Sequence, residues 1–274
     1  MKQKISKLPG RLLVYLYALL VLIPLYFAIV TAFKSSAEIT FNPFGLPSSL
    51  KMTNFEIAIR EGNLGSAMWN SIIVGVGATA LQMLLSIVIS FCLYRTRSQK
   101  LGIVLYMAVL ATMFLPGTGW VTMIRLYQKL GLYNSIWGVL LNGGTGRLAF
   151  NMFILMGAIR AVPREMEEAA ILDGCNDWQY VFRVMIPCIK PSIISIGIFA
   201  FTSAWNSLMT PLLLLRDSSK YTLPLALKYF TATDGAINYN YVFAGILISG
   251  LPLVIAYLCC QKYFVAALAG SVKG

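Results

Sequence analysis

Pro163-Arg-Glu-Met-Glu-Glu-Ala-Ala-Ile-Leu-Asp-Gly174, followed by Cys175-Asn-Asp-Trp-Gln-Tyr-Val-Phe-Arg-Val-Met-Ile-Pro187, is a polar island in an apolar chain. Pro163 suits a first helical position, where a missing N–H costs nothing. Glu165, Glu167 and Glu168 follow in the first turns, where the helix dipole favours negative charge. Met166, Ala169, Ala170 and Asp173 share one face at i, i+3, i+4 spacing. Gly174 fits the left-handed position that ends a helix. A second helix is expected from Asn176 or Asp177, with Asn176 and Gln179 spaced as a capping box. Trp178, Val181, Phe182, Met185 and Ile186 form its apolar stripe, and Pro187 and Pro191 set the exit. The stretch predicts two short helices hinged on Gly174, lying between membrane spans.

The rest of the chain explains why such an island stands out. Of 274 residues, 58% are hydrophobic and 12% are charged, against about 25% charged in a soluble domain. Several apolar runs approach the ~20 residues that cross a bilayer. The sequence predicts an all-α, polytopic membrane protein, a single transmembrane domain over 1–274. Six spans are expected at 12–33, 68–93, 101–124, 146–162, 189–213 and 242–262. The first run is too long for a signal-peptide core and reads as a retained span. Pro116-Gly117 marks a kink in the third.

The net charge of +12 is explained by basic loops facing the cytoplasm rather than by nucleic acid. The basic, acid-free stretch Arg95–Lys100, with Lys2, Lys4, Lys7, Arg11, Arg160, Arg164, Arg183, Lys190, Lys262 and Lys273, places both termini and the 163–190 loop inside. The segment from Lys34 to about Gly65, with Pro43 and Pro47, reads as an external cap of loop and short helix. Leu126–Asn142 is expected to be one interfacial helix, because Tyr and Trp favour headgroup depth.

Several chemistries have no residues to carry them. There is no histidine, and Cys92, Cys175, Cys188, Cys259 and Cys260 form no CxxC pair, so neither a zinc site nor a disulfide is expected. No Gly-Lys pair exists for a Walker A loop, so ATP chemistry belongs to a partner. An intramembrane enzyme lacks its base. An ion-coupled secondary transporter, the distant alternative, keeps ionisable groups inside its spans, and these spans hold almost none.

Glu168-Ala169-Ala170, Gly174, Val184 and Ile186-Pro187 stand at the spacings of the "EAA" loop of ABC importer permeases, with Val184 and Ile186 where Ile and Leu are usual. The chain resembles that family. Asn42-Pro-Phe-Gly-Leu-Pro47, Gly131-Leu132 with Asn134, Trp205-Asn206, Pro211-Leu212-Leu213, Tyr221-Thr-Leu-Pro224 and the tail Ala269-Gly-Ser-Val-Lys-Gly274 are similar to its carbohydrate-uptake class. They look most like the smaller permease of the maltose-transporter type. Ser207 departs from the acidic residue that often follows the Trp-Asn pair.

The resemblance implies a type I ABC importer permease fold in a bacterial or archaeal cytoplasmic (inner) membrane. It implies a non-catalytic subunit with no cofactor of its own, ATP and Mg being bound by the partner ATPase. The partners would be a second homologous permease, two ATPase subunits, an extracytoplasmic sugar-binding protein docking on outer loops such as 34–65 and 216–240, and the lipid bilayer. Glu168, Ala169, Ala170, Asp173, Gly174 and Pro187 would form the ATPase-coupling loop. The tail Val272, Lys273, Gly274 is either a frayed end or an ATPase contact. Trp205 and Asn206 either line a sugar path or pack helices. The cargo would be a sugar or oligosaccharide, with a polyol or glycerol-phosphate as the alternative.

Overall fold

The computed structural model describes residues 8–114, 119–230 and 238–270. Among them the regular elements are all helical. In chain order they are α1 (Leu8–Ala32), α2 (Ser36–Phe41), α3 (Thr53–Glu61), α4 (Leu64–Tyr94), α5 (Gln99–Ala111), α6 (Trp120–Lys129) and α7 (Ile136–Thr145). Then come α8 (Leu148–Arg160), α9 (Arg164–Leu172), α10 (Asp177–Trp205), α11 (Met209–Leu214), α12 (Leu223–Phe230) and α13 (Tyr239–Gly270). Val272, Lys273, Gly274 and the Pro116-Gly117 pair lie outside the described residues.

Contacts divide the chain into two compact units. The first runs to Ala67 and resumes at Leu225–Leu251; the second covers Met68–Pro224 and resumes at Pro252.

In the first unit, polar groups tie the segment after α1 into place. Lys34 is fully buried, and its ammonium donates to the carbonyls of Asn42 (2.6 Å) and Pro43 (3.0 Å). The Asn54 amide donates to the carbonyls of Ala32 (2.8 Å) and Lys34 (2.9 Å), and itself accepts from Asn240 (3.1 Å). Ser35 and Glu38 form a reciprocal capping box that starts α2. Glu38 also accepts from the backbone N–H and hydroxyl of Ser48. These bonds push the Glu38 carboxyl down to about 2, because each one favours its charged form. The expected cap at 34–65 is therefore two short helices and a loop, held by side chains that satisfy backbone groups.

Among the described residues four helices are long and apolar enough to cross a membrane: Leu12–Ala32 of α1, α4, α10 and Tyr239–Cys259 of α13. The pair α7 and α8, bent by 43° at their junction, makes a fifth if taken as one span. The expected count of six is not reached among the described residues. The run expected at 101–124 is helical only from Gln99 to Ala111, 13 residues, or about 20 Å at 1.5 Å per residue, against a hydrocarbon core of about 30 Å. The fourth expected span is α8, also 13 residues, which needs α7 to reach spanning length.

Two further expectations change. Leu126–Asn142 is not one helix, because α6 ends at Lys129 and α7 begins at Ile136. Gly131 (φ 67°) and Asn134 (φ 52°) take left-handed backbone between them. Asn134 then accepts from the N–H groups of Arg216 and Asp217 and donates to the Asp217 carboxylate (2.8 Å). Hydrogen bonds from Lys220 and Asn134 hold that carboxyl below its ordinary range. The expected span at 189–213 instead begins at Asp177 and ends at Trp205.

That last difference has a local cause. Pro187 does not end the loop's second helix. Residues Val181–Met185 form a π-helical turn, closed by the Ile186 N–H donating to the Val181 carbonyl. In a regular helix the Pro187 ring would strike the carbonyl of residue 183. The wide turn just before it relaxes that position. The helix therefore passes from loop to span without a break.

Candidate functional site

The 163–187 stretch folds as the sequence predicts at its turn. α9 covers Arg164–Leu172 with Pro163 before it. Gly174 has φ 77°. The N–H of Gly174 donates to the Ile171 carbonyl (3.0 Å), and that of Cys175 to the Ala170 carbonyl (2.9 Å). This is the Schellman pattern, which satisfies carbonyls that a helix end leaves open. The Gln179 N–H donates to Asn176 Oδ1 (2.8 Å), and the Asn176 N–H donates to Gln179 Oε1 (2.9 Å), completing the capping box.

The faces differ from the expected ones. Ala170 is buried, in a core with Leu155, Ile159, Tyr180, Val181, Met185 and Ile189. Ala169, Glu168 and Asp173 are exposed. The two alanines therefore do not present together; only Ala169 faces outward. The stripe on α10 also divides. Val181 and Met185 turn inward, while Trp178 and Phe182 remain 64% and 63% exposed, their rings stacked 6.2 Å apart. Leu172 is 88% exposed. Glu168, Ala169, Leu172, Trp178 and Phe182 are thus exposed on the loop, which leaves large apolar side chains uncovered among its charged ones.

Arg95, at the end of α4, holds the two loop helices together, and sequence reasoning used it only as a marker of sidedness. Its guanidinium pairs with Glu167 on α9 (2.6 Å) and Asp177 on α10 (2.7 Å). It also lies over the rings of Phe91 (5.8 Å) and Tyr180 (5.6 Å). The Tyr94 hydroxyl donates to the other Glu167 oxygen (2.6 Å). Glu167, not Glu168, is the anchored acid.

A second feature lies in the same unit. A cavity of about 200 Å³ is lined by Gln82, Asn142, Arg147, Ser203, Ser207 and Thr210, with Val74, Val139, Gly143, Gly146, Ala200 and Ala204. Gln82 donates to the Gly143 carbonyl (3.3 Å) and Thr210 to Asn142 (3.0 Å). Trp205 is not part of its wall. It is 2% exposed and packs on Phe201, with ring centroids 5.6 Å apart. Asn206 caps the end of α10 and is exposed. Neither of the two residues named for a path lines this cavity. The polar groups around the cavity come from three separated stretches, at 82, 142–147 and 203–210, so spacing in sequence does not reveal them.

The chain is similar to known proteins. Residues 82–269 match the family model described as "Binding-protein-dependent transport system inner membrane component". The chain is 30% identical over 262 residues to the diacetylchitobiose uptake system permease protein NgcG of Streptomyces coelicolor, covering 95% of this chain and 85% of that one. It is 30% identical to the arabinooligosaccharides transport system permease protein AraQ of Halalkalibacterium halodurans, over all of both chains. A chain in the crystal structure of a bacterial ABC transporter that imports the acidic polysaccharide alginate superposes with TM-score 0.84. That match covers 96% of this chain and 98% of the other at 24% identity, and it concerns the fold.

Proposed function

The chain belongs to the family of binding-protein-dependent transport system inner membrane components, and from that premise we propose that it is the permease subunit of an ATP-driven importer for a sugar or oligosaccharide. The substrate class is supported by relatives named for diacetylchitobiose, arabinooligosaccharides and multiple sugars. The subunit is non-catalytic. A second, homologous permease completes the pore, two ATPase subunits bind ATP and Mg, and a binding protein delivers the cargo outside.

In this reading the exposed face at Glu168, Ala169, Leu172, Trp178 and Phe182 seats in an ATPase cleft. Both termini and the loop lie in the cytoplasm, supported by the basic bias of the inner segments. One observation carries the coupling: α10 is a single helix from Asp177 to Trp205. Its first turns bear the exposed Trp178 and Phe182, and its last bear Ser203 and Ala204 of the polar cavity. At 1.5 Å per residue it is a rod of about 43 Å. ATP-driven closure of the ATPases tilts the rod, and the tilt opens the cavity to one side or the other.

Uptake of labelled oligosaccharides into proteoliposomes holding the complete transporter tests the reading. ATP-dependent accumulation is expected only with the binding protein present. Accumulation that needs an ion gradient and no ATP would refute it.

A further inference from the structure

The polar cavity contains one cation and no acid. Arg147 stands at the break between α7 and α8 and is the N-cap residue of α8. Among the described residues no carboxylate lies within ion-pair distance of it. None of the residues lining the cavity is Asp or Glu. The other polar lining groups are the amides of Gln82 and Asn142 and the hydroxyls of Ser203, Ser207 and Thr210.

These groups suit different parts of one ligand. Neutral amides and hydroxyls hydrogen-bond the hydroxyls of a sugar or polyol. A guanidinium does more than that task requires. Arg147 is exposed at the break of this apolar helix pair, and ionisable residues at interrupted spans mark ligand or ion pathways. The positive end of the α8 dipole and the negative end of the α7 dipole meet at this break and offset each other, so the sign of the site rests on Arg147. A neutral sugar leaves this charge without a counter-charge. A carboxylate or phosphate supplies one and accepts two parallel N–H bonds.

We propose that Arg147 reads charge in the translocation path, and that the transported polyhydroxylated molecule carries an anionic group. This rests on the importer reading above and narrows its cargo.

Three probes test it in proteoliposomes that hold the complete transporter and its binding protein: a tri-uronate, the carboxyl-reduced neutral trisaccharide, and glycerol 3-phosphate. The wild type is expected to import one of the two anionic probes faster than the neutral one; which of them assigns the anion to carboxylate or phosphate. Arg147→Gln should cut that uptake about ten-fold or more, and Arg147→Lys by less. Neutral uptake should fall by less than anionic uptake in both. A wild type that prefers the neutral trisaccharide, with Arg147→Gln indifferent, overturns the inference and leaves the importer standing. An equal loss of neutral and anionic uptake also overturns it, since it makes Arg147 a structural residue. A wild type that imports neither anionic probe overturns the inference, whereas accumulation that needs an ion gradient and no ATP overturns the importer reading itself.

Discussion

Glu167 and Glu168 are neighbours in opposite surroundings. Glu167 is held by Arg95 and Tyr94, and charge-assisted bonds of this kind contribute about 1.5–3 kcal/mol. Glu168 is exposed on the face assigned to the ATPase. Glu167→Gln is therefore expected to lower the unfolding temperature of the solubilised complex. Glu168→Lys should leave that temperature alone and lose the ATPase on co-purification. Glu165→Lys, nearer the start of α9, carries a similar dipole penalty and should retain it. Loss of the ATPase with Glu165→Lys but not with Glu168→Lys would put the docking face on the wrong side. Gly174 gives a second test. An added Cβ there meets nothing within 4 Å, so the strain lies wholly in its φ of 77°. Gly174→Val costs about 1–2 kcal/mol for the left-handed backbone and should lower the sugar moved per ATP hydrolysed. Gly174→Asn, which tolerates that region, should transport normally. The turn and the capping box were legible in sequence because they are made within six residues. The Arg95 clamp was not, because its partners lie 72 and 82 positions away.

Elements were legible where one local property decides them. Long apolar runs located α1, α4 and α13. Length failed at 101–124, where apolar composition continues past the end of α5 at Ala111. Proline failed as a stop signal at Pro187, because the π turn lets the helix accommodate it. The split of the Trp178 stripe needed α4 and α8 in place, since they decide which side of α10 is covered. The α2 segment allows a test by pH. Glu38 titrates ordinarily near 4.5 and is pushed down to about 2 when folded. A lowered carboxyl stabilises the fold above its unfolded value, and that contribution falls as pH drops from about 4.5 toward 2. Hydrogen-exchange protection of residues 35–48 should therefore be greater in the wild type than in Glu38→Gln at pH 6. The two should converge as pH approaches 2. A difference that stays constant across this window would assign the capping to neutral hydrogen bonds alone.

For the whole molecule, sidedness is the property that the charge pattern predicts and that span number alone leaves open. Ser98→Cys, on a cysteine-free background, should resist an impermeant thiol reagent in intact cells and label once the membrane is opened. Rapid labelling in intact cells would invert the proposed orientation and move the 163–187 loop outside. The wide turn at Val181–Met185 bears on how the chain tolerates a change in its residue count. Removing one residue from an ordinary helical turn between 192 and 199 rotates everything beyond it by about 100° and draws it in by about 1.5 Å. Ser203 would then face away from the cavity while Trp178 stayed in place. The π turn already carries one residue more than a regular helix needs. Losing one there closes the turn and keeps both ends of the rod in phase, but it sets the Pro187 ring against the carbonyl four residues before it, so the rod absorbs such a deletion only together with replacement of that proline.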